Sequence, residues 1–174
     1  MNEEKTIESK QIYKGKVVQL RVDTVSLPDG RRKIREIVVH PGAAAIVPLM
    51  NEGEGEDKEV LLVEQYRKAV ESKTLEIPAG TLEEGESPEE CAKRELIEET
   101  GFQASKLDKL IDFYPSPGFS SEIIHIFKAS GLKKVSDVDA ELSIRLVPLG
   151  ELLTKIRNGK IKDGKTVIGV LMAI

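Results

Sequence analysis

The segment from Gly80 to Phe102 constrains the fold more than any other, because it carries both the start and the stop signals of one helix. Ser87 is a favourable N-cap, Pro88 suits the first helical position, and Glu90 completes a capping box. Gly101 supplies the matching C-terminal stop. These signals predict a helix over residues 88–100 that is entered from a glycine turn.

Acidic residues line one face of this predicted helix. Glu95, Glu98 and Glu99 are three and four positions apart, and a helix turns about once every 3.6 residues, so the three side chains share a face. Carboxylates held together raise each other's pKa, and a metal cation removes that penalty. Oxygen ligands suit Mg²⁺ or Mn²⁺. The pattern predicts a metal site; the alternative is a solvated, charge-rich helix.

Composition narrows the class of protein. The chain of 174 residues is long enough to bury a core without disulfides, and its net charge of −4 is spread along the sequence. No basic stripe alternates with aromatic residues, so we expect no nucleic-acid partner. No apolar run approaches the roughly 20 residues that span a bilayer, so we expect no membrane association. The polar N-terminus and the single Cys91, which we expect to be a small buried residue, favour a cytoplasmic protein.

Strand patterns surround the helix on both sides. Residues 11–27 alternate apolar and polar positions, and the turn Pro28-Asp29-Gly30 joins them to a strand over residues 33–40 as a hairpin. This unit is too small to be stable alone. We therefore predict an N-terminal β domain, residues 1–40, followed by an α/β domain, residues 41–174. Further strands are expected at 43–49, 59–66, 74–77, 107–114, 122–129 and 143–147, and helices at 149–158 and 164–174.

The helical segment also fits a family pattern. In this pattern five residues separate a Gly from a Glu, and a further seven residues separate that Glu from the sequence Arg-Glu-apolar-x-Glu-Glu-x-Gly-apolar. The positions that fill it are Gly80, Glu86, Arg94, Glu95, Leu96, Glu98, Glu99, Gly101 and Phe102. The segment resembles the Nudix box of hydrolases that cleave nucleoside diphosphates linked to another group. The resemblance implies a Nudix α/β/α sandwich with a mixed sheet, and hydrolysis that depends on Mg²⁺, with Mn²⁺ as an alternative.

The glutamates of the box are the expected metal ligands. We assign Glu95 and Glu99, one turn apart, as direct ligands, and Glu98 as a third ligand or one that acts through water. The resemblance adds the main-chain carbonyl of Ala79. Arg94 is placed to hold the glutamates, and we expect it to pair with Glu86.

Outside the box the chain resembles the ADP-ribose pyrophosphatase branch of this family over almost its whole length. Four segments carry the resemblance: residues 35–48 (REIVVHPGAAAIVP), 64–67 (EQYR), 76–80 (EIPAG) and 116–125 (SPGFSSEIIH), which includes Pro117. It implies hydrolysis of ADP-ribose to AMP and ribose 5-phosphate. It also implies a homodimer in which the N-terminal β domain is exchanged and completes the partner's site.

Substrate-binding residues follow from the same resemblance. Arg67 would present its donors to a phosphate, with a surface arginine as the alternative. Glu36 matches a glutamate that accepts a hydrogen bond from the adenine amino group, with an outward-facing strand residue as the alternative. The other candidates line the adenine pocket or lie over the terminal ribose: Val17, Lys16, Ser116, Gly118 and Glu122. We expect His125 to be a satisfied core residue rather than a catalyst.

The general base and the substrate leave alternatives open. The branch places a catalytic Glu in a late acidic loop, where we choose Glu141, with Asp139 or Glu98 as alternatives. A pyrophosphatase for a nucleotide sugar would share every metal-site residue. A domain that senses ADP-ribose without hydrolysis is the third possibility, although such proteins typically lose glutamates that this chain retains.

Overall fold

The computed structural model describes residues 3–50, 58–137 and 142–174. The chain forms two compact units, one made of Met1–Gly42 with Tyr114–Ile123, and the other of Ala43–Phe113 with Ile124–Ile174. The first unit therefore takes up a distant loop as well as the N-terminal segment.

The smaller unit contains a three-stranded antiparallel sheet in the order β1-β2-β3, with strands β1 (Lys5–Lys14), β2 (Gln19–Ser26) and β3 (Arg32–Val39). The predicted hairpin is confirmed, since Ser26 pairs with Arg32 across the turn. The predicted continuous strand over 11–27 is wrong, because a turn with a Gly15 N–H to Val18 carbonyl bond of 2.9 Å separates β1 from β2. Every residue of β1 is exposed, so no apolar alternation marked it.

The loop Tyr114–Ile123 is hydrogen-bonded to β3. The Val38 N–H donates to the Phe119 carbonyl at 2.8 Å, and the Ser121 N–H donates to the Val38 carbonyl at 3.0 Å. These two bonds fix the loop around Pro117 beside the strand that carries Glu36.

Within its described residues, the larger unit contains seven strands, three α-helices and a short 3-10 helix, Lys68–Val70. The strands are β4 (Ala43–Pro48), β5 (Glu59–Arg67), β6 (Ser72–Glu76), β7 (Ala79–Thr81), β8 (Phe102–Phe113), β9 (Ile124–Lys134) and β10 (Ser143–Pro148). The helices are α1 (Pro88–Thr100), α2 (Leu149–Arg157) and α3 (Gly164–Met172). One sheet has the order β7-β4-β9-β8 and is mixed, because β4 and β9 are parallel; the other, β10-β5-β6, is antiparallel.

Helices cover both faces of the mixed sheet, as alternate residues of β4 show. Ala44 and Ile46 pack with Cys91 and Leu96 of α1. Ala45 and Val47 lie in the second apolar cluster, which includes residues of α2 and α3. The predicted α/β sandwich with a mixed sheet and a small antiparallel β unit before it is confirmed. Cys91 is buried as expected, and burial raises the pKa of its thiol to about 12.

Helix α1 begins and ends where the sequence predicted. The Ser87 side chain accepts a hydrogen bond from the Glu90 N–H, and the Glu90 carboxylate accepts one from the Ser87 N–H, so the capping box is complete. Gly101 closes the helix with φ 74°, a left-handed conformation that costs little without a Cβ. Within the described ranges, no helix is both long and apolar enough to cross a membrane.

Candidate active site

The acidic face of α1 lies against β7. Glu99 accepts a hydrogen bond of 3.0 Å from the main-chain N–H of Ala79. Gly80 follows in the same strand, and a Cβ at this position would overlap the Glu95 carboxylate. The glycine is therefore needed for close approach of the strand to the helix, and it brings the Ala79–Gly80 backbone next to two glutamates.

Burial of these two glutamates disfavours their charged forms. Burial is the main reason why the pKa of Glu95 is raised and why the pKa of Glu99 is raised to about 7. The Ala79 N–H and, more weakly, the cations of Arg67 and Lys165 oppose the shift at Glu99. A divalent cation would supply the charge that these carboxylates lack, so the donor chemistry fits such an ion.

All three guanidinium nitrogens of Arg94 donate hydrogen bonds to other residues of the chain. Its Nε and Nη2 donate to the two Glu86 oxygens at 2.8 and 2.9 Å, and its Nη1 donates to Glu95 at 2.5 Å and to Glu98 at 3.2 Å. Nη2 also reaches the Thr81 carbonyl at 3.2 Å. The expected pair of Arg94 with Glu86 is present. The hydrogen bonds that Arg94 donates to Glu86 are the main reason why the pKa of Glu86 is lowered to about 2.

The three glutamates of the box are not gathered around one point. Among the residues that the structure describes, no three His, Cys, Asp or Glu side chains form a group that could hold a metal ion. Arg94 holds Glu95, the Ala79 N–H holds Glu99, and the Glu98 side chain is 57% exposed. Arg94 is bonded to one oxygen of Glu95 and the Ala79 N–H to one oxygen of Glu99, so a cation at this face would take the other oxygen of each carboxylate.

A second charged network lies on β5, β6 and α3. Arg67 donates through Nε and Nη2 to the two oxygens of Glu76 at 2.9 and 2.7 Å. The Thr74 hydroxyl donates to the same carboxylate at 2.6 Å, and Lys165 Nζ is also bonded to it. The Glu76 side chain is only 3% exposed. Sequence reasoning did not connect Glu76 with Lys165, because they are 89 positions apart and no spacing rule links them.

Two substrate-binding candidates lie together in the smaller unit. Glu36 and Gly118 both line a surface cleft of about 470 Å³ between β3 and the Pro117 loop. Ser116 and Glu122 belong to the same loop, and the Glu122 carboxylate lies 3.7 Å from His40 Nδ1. Val17 lies in the turn between β1 and β2, is 68% exposed and does not line the cleft.

The remaining candidates have different outcomes. Glu141 and Asp139 lie outside the residues that the structure describes. His125 Nδ1 lies 2.7 Å from the Asp112 carboxylate, and its side chain is 13% exposed. This partner agrees with the expectation of a satisfied, mostly buried histidine.

Comparison with known proteins identifies the family. The model of the NUDIX domain matches residues 39–167, and that of the nucleoside diphosphate sugar hydrolase N-terminal domain matches residues 4–38. The chain is 47% identical over 173 residues to a methanol dehydrogenase activator of Bacillus methanolicus, and 44% identical over 173 residues to an ADP-ribose pyrophosphatase of Bacillus subtilis (strain 168). Each match covers 97% of this chain and 91% of the relative.

A solved structure supports the fold. The crystal structure of an ADP compounds hydrolase superposes with a TM-score of 0.83 at 21% sequence identity, and the match covers 99% of this chain and 93% of the other. Nudix hydrolases generally need a divalent metal, in agreement with the chemistry of the α1 face. The chain belongs to the Nudix family of hydrolases, and the predicted resemblance to its ADP-ribose pyrophosphatase branch is confirmed.

Proposed function

We propose that this protein hydrolyses ADP-ribose to AMP and ribose 5-phosphate with Mg²⁺, or Mn²⁺ in its place. The observation that carries the proposal is the pair of half-buried carboxylates, Glu95 and Glu99, whose pKa values are raised beside the Ala79–Gly80 backbone. The 44% identity to a protein named ADP-ribose pyrophosphatase supports the choice of substrate.

The ligands of the cation would be Glu95, Glu98 and Glu99 with the main-chain carbonyl of Ala79. When bound, the cation supplies charge neutralisation of the diphosphate and lowers the pKa of a coordinated water. Arg94 keeps Glu95 and Glu98 oriented through its Nη1. Burial of Glu95 and Glu99 keeps bulk water from competing for their oxygens.

The chain's own groups would carry the rest of the reaction. Arg67 holds a phosphoryl oxygen, since its side chain is 43% exposed and only one edge of its guanidinium is used by Glu76. A general base takes a proton from water as its oxygen attacks one phosphorus, and the bridging oxygen leaves with the other phosphate. We assign the base to Glu141, with Asp139 and Glu98 as alternatives. Separate substitutions decide among them, because loss of the base lowers kcat with little change in KM.

Substrate recognition is assigned to the smaller unit. We place the adenine amino group at Glu36, with Val17 and Lys16 along the base, and the terminal ribose under Ser116, Gly118 and Glu122. Support comes from the common cleft of Glu36 and Gly118 and from the hydrogen bonds between their segments. Glu36→Gln should raise KM for ADP-ribose more than for GDP-mannose. An equal rise in KM for both substrates would mean that Glu36 does not contact adenine.

The protein is proposed to act as a cytoplasmic homodimer with an exchanged N-terminal β domain. Among the described residues, seven large apolar side chains of the smaller unit are at least half exposed, namely Ile7, Ile12, Tyr13, Val17, Ile34, Tyr114 and Phe119. So many exposed apolar groups in one small unit favour a covered surface. Light scattering after gel filtration should give twice the mass of 19.2 kDa, and Ile12→Lys should reduce it towards the monomer. The free, buried Cys91 suits a reducing compartment.

A substrate panel tests the function directly. Turnover of ADP-ribose, GDP-mannose, UDP-glucose and diadenosine polyphosphate is compared with Mg²⁺, with Mn²⁺ and with EDTA. ADP-ribose should be among the best substrates, and EDTA should abolish turnover. If a nucleotide sugar is clearly preferred, the protein is a nucleotide-sugar pyrophosphatase instead of an ADP-ribose pyrophosphatase. The match to the nucleoside diphosphate sugar hydrolase N-terminal domain favours this alternative. Tight ADP-ribose binding without hydrolysis would make the protein a sensor.

A second candidate function comes from the relative named methanol dehydrogenase activator, which is 47% identical. Adding this protein to methanol dehydrogenase of Bacillus methanolicus tests whether it raises that enzyme's rate. A stimulation that Glu99→Gln abolishes would mean that the hydrolase site carries the activating effect.

A further inference from the structure

A buried carboxylate, Glu76, lies beside the candidate active site. Glu76 ends β6, three residues before Ala79, and its side chain is 3% exposed. A buried charge of this kind is costly unless it is fully paired. Glu76 meets that condition with hydrogen bonds from Arg67, Thr74 and Lys165.

The contacts of Glu76 use only one edge of the Arg67 guanidinium. Nε and Nη2 donate to the two carboxylate oxygens in a parallel, two-bond arrangement. This arrangement fixes the plane of the guanidinium as well as its position. The remaining nitrogen, Nη1, has no protein acceptor among the described residues, and the side chain is 43% exposed. Arg67 is therefore held by one edge and open at the other.

Lys165 holds the same carboxylate from α3. Its Nζ is bonded to Glu76 and lies 2.9 Å from the Asp163 carboxylate, and its side chain is 12% exposed. Asp163 also caps α3 by accepting a hydrogen bond from the Thr166 N–H at 3.0 Å. Glu76 is thus anchored on a helix end that is independent of Arg67, so its position does not depend on the arginine that it holds.

The carboxylate that holds Arg67 lies three residues before the strand residue that contacts α1. Glu76 ends β6, and Ala79 of β7 donates its main-chain N–H to Glu99 at 3.0 Å. Arg67 is therefore held beside the segment that leads to the acidic face of α1, and its charge acts to lower the pKa of Glu99. A diphosphate bound by a cation at Glu95 and Glu99 would carry negative oxygens into this region.

We propose that Glu76 is a positioning residue for the substrate: it locks the Nε–Nη2 edge of Arg67 so that Nη1 is presented to a phosphoryl oxygen of the diphosphate. The inference rests on the proposed hydrolysis of a nucleoside diphosphate derivative. It adds that the affinity supplied by Arg67 depends on a buried partner that does not touch substrate.

The test is a double-mutant cycle between Glu76→Gln and Arg67→Met. A glutamine offers one acceptor oxygen in place of two, and its amide donors face the donors of Arg67, so the guanidinium loses its fixed orientation. Glu76→Gln alone should raise KM for ADP-ribose about 10-fold with kcat changed less than about threefold. In the Arg67→Met background the same substitution should change KM less than about twofold.

Glu64→Gln is the matched control. Glu64 is a neighbouring carboxylate on β5 that also has two cationic partners, Lys73 and Arg145, each at 3.5 Å. Among the described residues it forms no hydrogen bond or ion pair with Arg67, so its substitution should leave KM and kcat unchanged. Glu76→Asp is the second variant in case Glu76→Gln does not fold; it keeps the charge but shortens the reach to Arg67, and it should also raise KM.

The outcomes separate this inference from the proposed function. A folded Glu76→Gln protein with wild-type KM overturns it, as does an equal rise in KM with and without Arg67, which would indicate a purely structural role. If Glu76→Gln is unfolded, a wild-type KM for Glu76→Asp overturns it. If ADP-ribose itself is not hydrolysed, the substrate assignment fails, and the cycle is measured with the best substrate of the panel, because the phosphate contact is common to all of them.

Discussion

Two arginines of the larger unit, Arg94 and Arg67, each hold a glutamate through Nε and Nη2, but they differ in how the third nitrogen, Nη1, is used. Arg94 holds Glu86 in this way and spends Nη1 on Glu95 and Glu98. Arg67 holds Glu76 and keeps Nη1 without a protein acceptor among the described residues. The exposed fractions agree, 24% for Arg94 and 43% for Arg67. The same pairing geometry can therefore serve two purposes, to order acidic ligands in one place and to present a cation to an anion in the other.

The largest effect is expected at the glutamates that Arg94 and β7 hold in place. Glu95→Gln and Glu99→Gln should each lower kcat by about 10³-fold or more, because each removes a charged ligand of the cation while keeping the side-chain volume. Turnover with saturating Mg²⁺ and circular dichroism of the folded variants check this. Glu89→Gln is the control on the same helix, since Glu89 is exposed and, of the residues that the structure describes, Lys93 is its ion-pair partner. Near-normal kcat in both glutamate variants would mean that the acidic face of α1 does not bind the catalytic cation.

Stability against pH probes the Arg67 network separately from catalysis. Desolvation acts against the charged form of Glu76, but Arg67, Lys165 and Thr74 together lower its pKa from an ordinary value near 4.5 to about 2. A folded-state pKa below the unfolded one gives stability that is present above about pH 4.5 and is lost as the pH falls towards 2. The contribution at neutral pH is roughly 3 kcal/mol.

Urea unfolding of the wild type and of Glu76→Gln measures this contribution. The difference in the free energy of unfolding should be large at pH 6.5 and should shrink between pH 4.5 and 2.5. Glu64→Gln should show little difference at either pH, because the Glu64 side chain is 28% exposed and its two cationic partners lie at 3.5 Å. A difference for Glu76→Gln that does not change with pH would mean that its charge does not stabilise the fold.

Lysine replacements put the two arginines into direct contrast. Lysine keeps the charge but cannot make two parallel bonds. Arg67→Lys should raise KM for ADP-ribose about 10-fold with a small change in kcat, whereas Arg94→Lys should lower kcat about 10-fold or more with a smaller change in KM. Steady-state kinetics of the two variants decide the point. The same kinetic pattern for both would end the distinction between them.

The smallest effect is expected at Glu98. Its side chain is 57% exposed and its contact with Arg94 is 3.2 Å. If Glu98 acts through water, Glu98→Gln should lower kcat about 10-fold, well below the effect of Glu99→Gln. A loss equal to that of Glu99→Gln would make Glu98 a direct ligand or the general base, and a pH–rate profile that loses one limb would identify the base.

The sequence predicted most where the signals are local. Helix α1 was bounded correctly because Ser87, Pro88, Glu90 and Gly101 act within one turn of its ends. Strand β7 was missed because three residues between a proline and a loop carry no periodicity, and β1 was missed because it is exposed on both faces. Both strands are held in place by pairing with a neighbouring strand rather than by an apolar face of their own.

The candidate site divides in the same way. Glu95, Glu98, Glu99 and the Arg94–Glu86 pair follow from spacing within one helix and its approach loop. Glu76 belongs to the EIPAG segment, but its contact with Lys165 forms only in the folded chain, so no linear pattern indicated that contact. The positions of Glu141 and Asp139 lie outside the described residues, so the choice of base stays a prediction from sequence.

The most direct test of the account is Mn²⁺ binding to α1, measured by electron paramagnetic resonance at fixed pH on the wild type, Glu99→Gln and Glu89→Gln. The wild type and Glu89→Gln should bind Mn²⁺ with the same affinity, and Glu99→Gln should bind it at least about 10-fold more weakly. Equal Mn²⁺ affinity in all three proteins would contradict the assignment of the acidic face of α1 as the metal site on which the proposed hydrolysis depends.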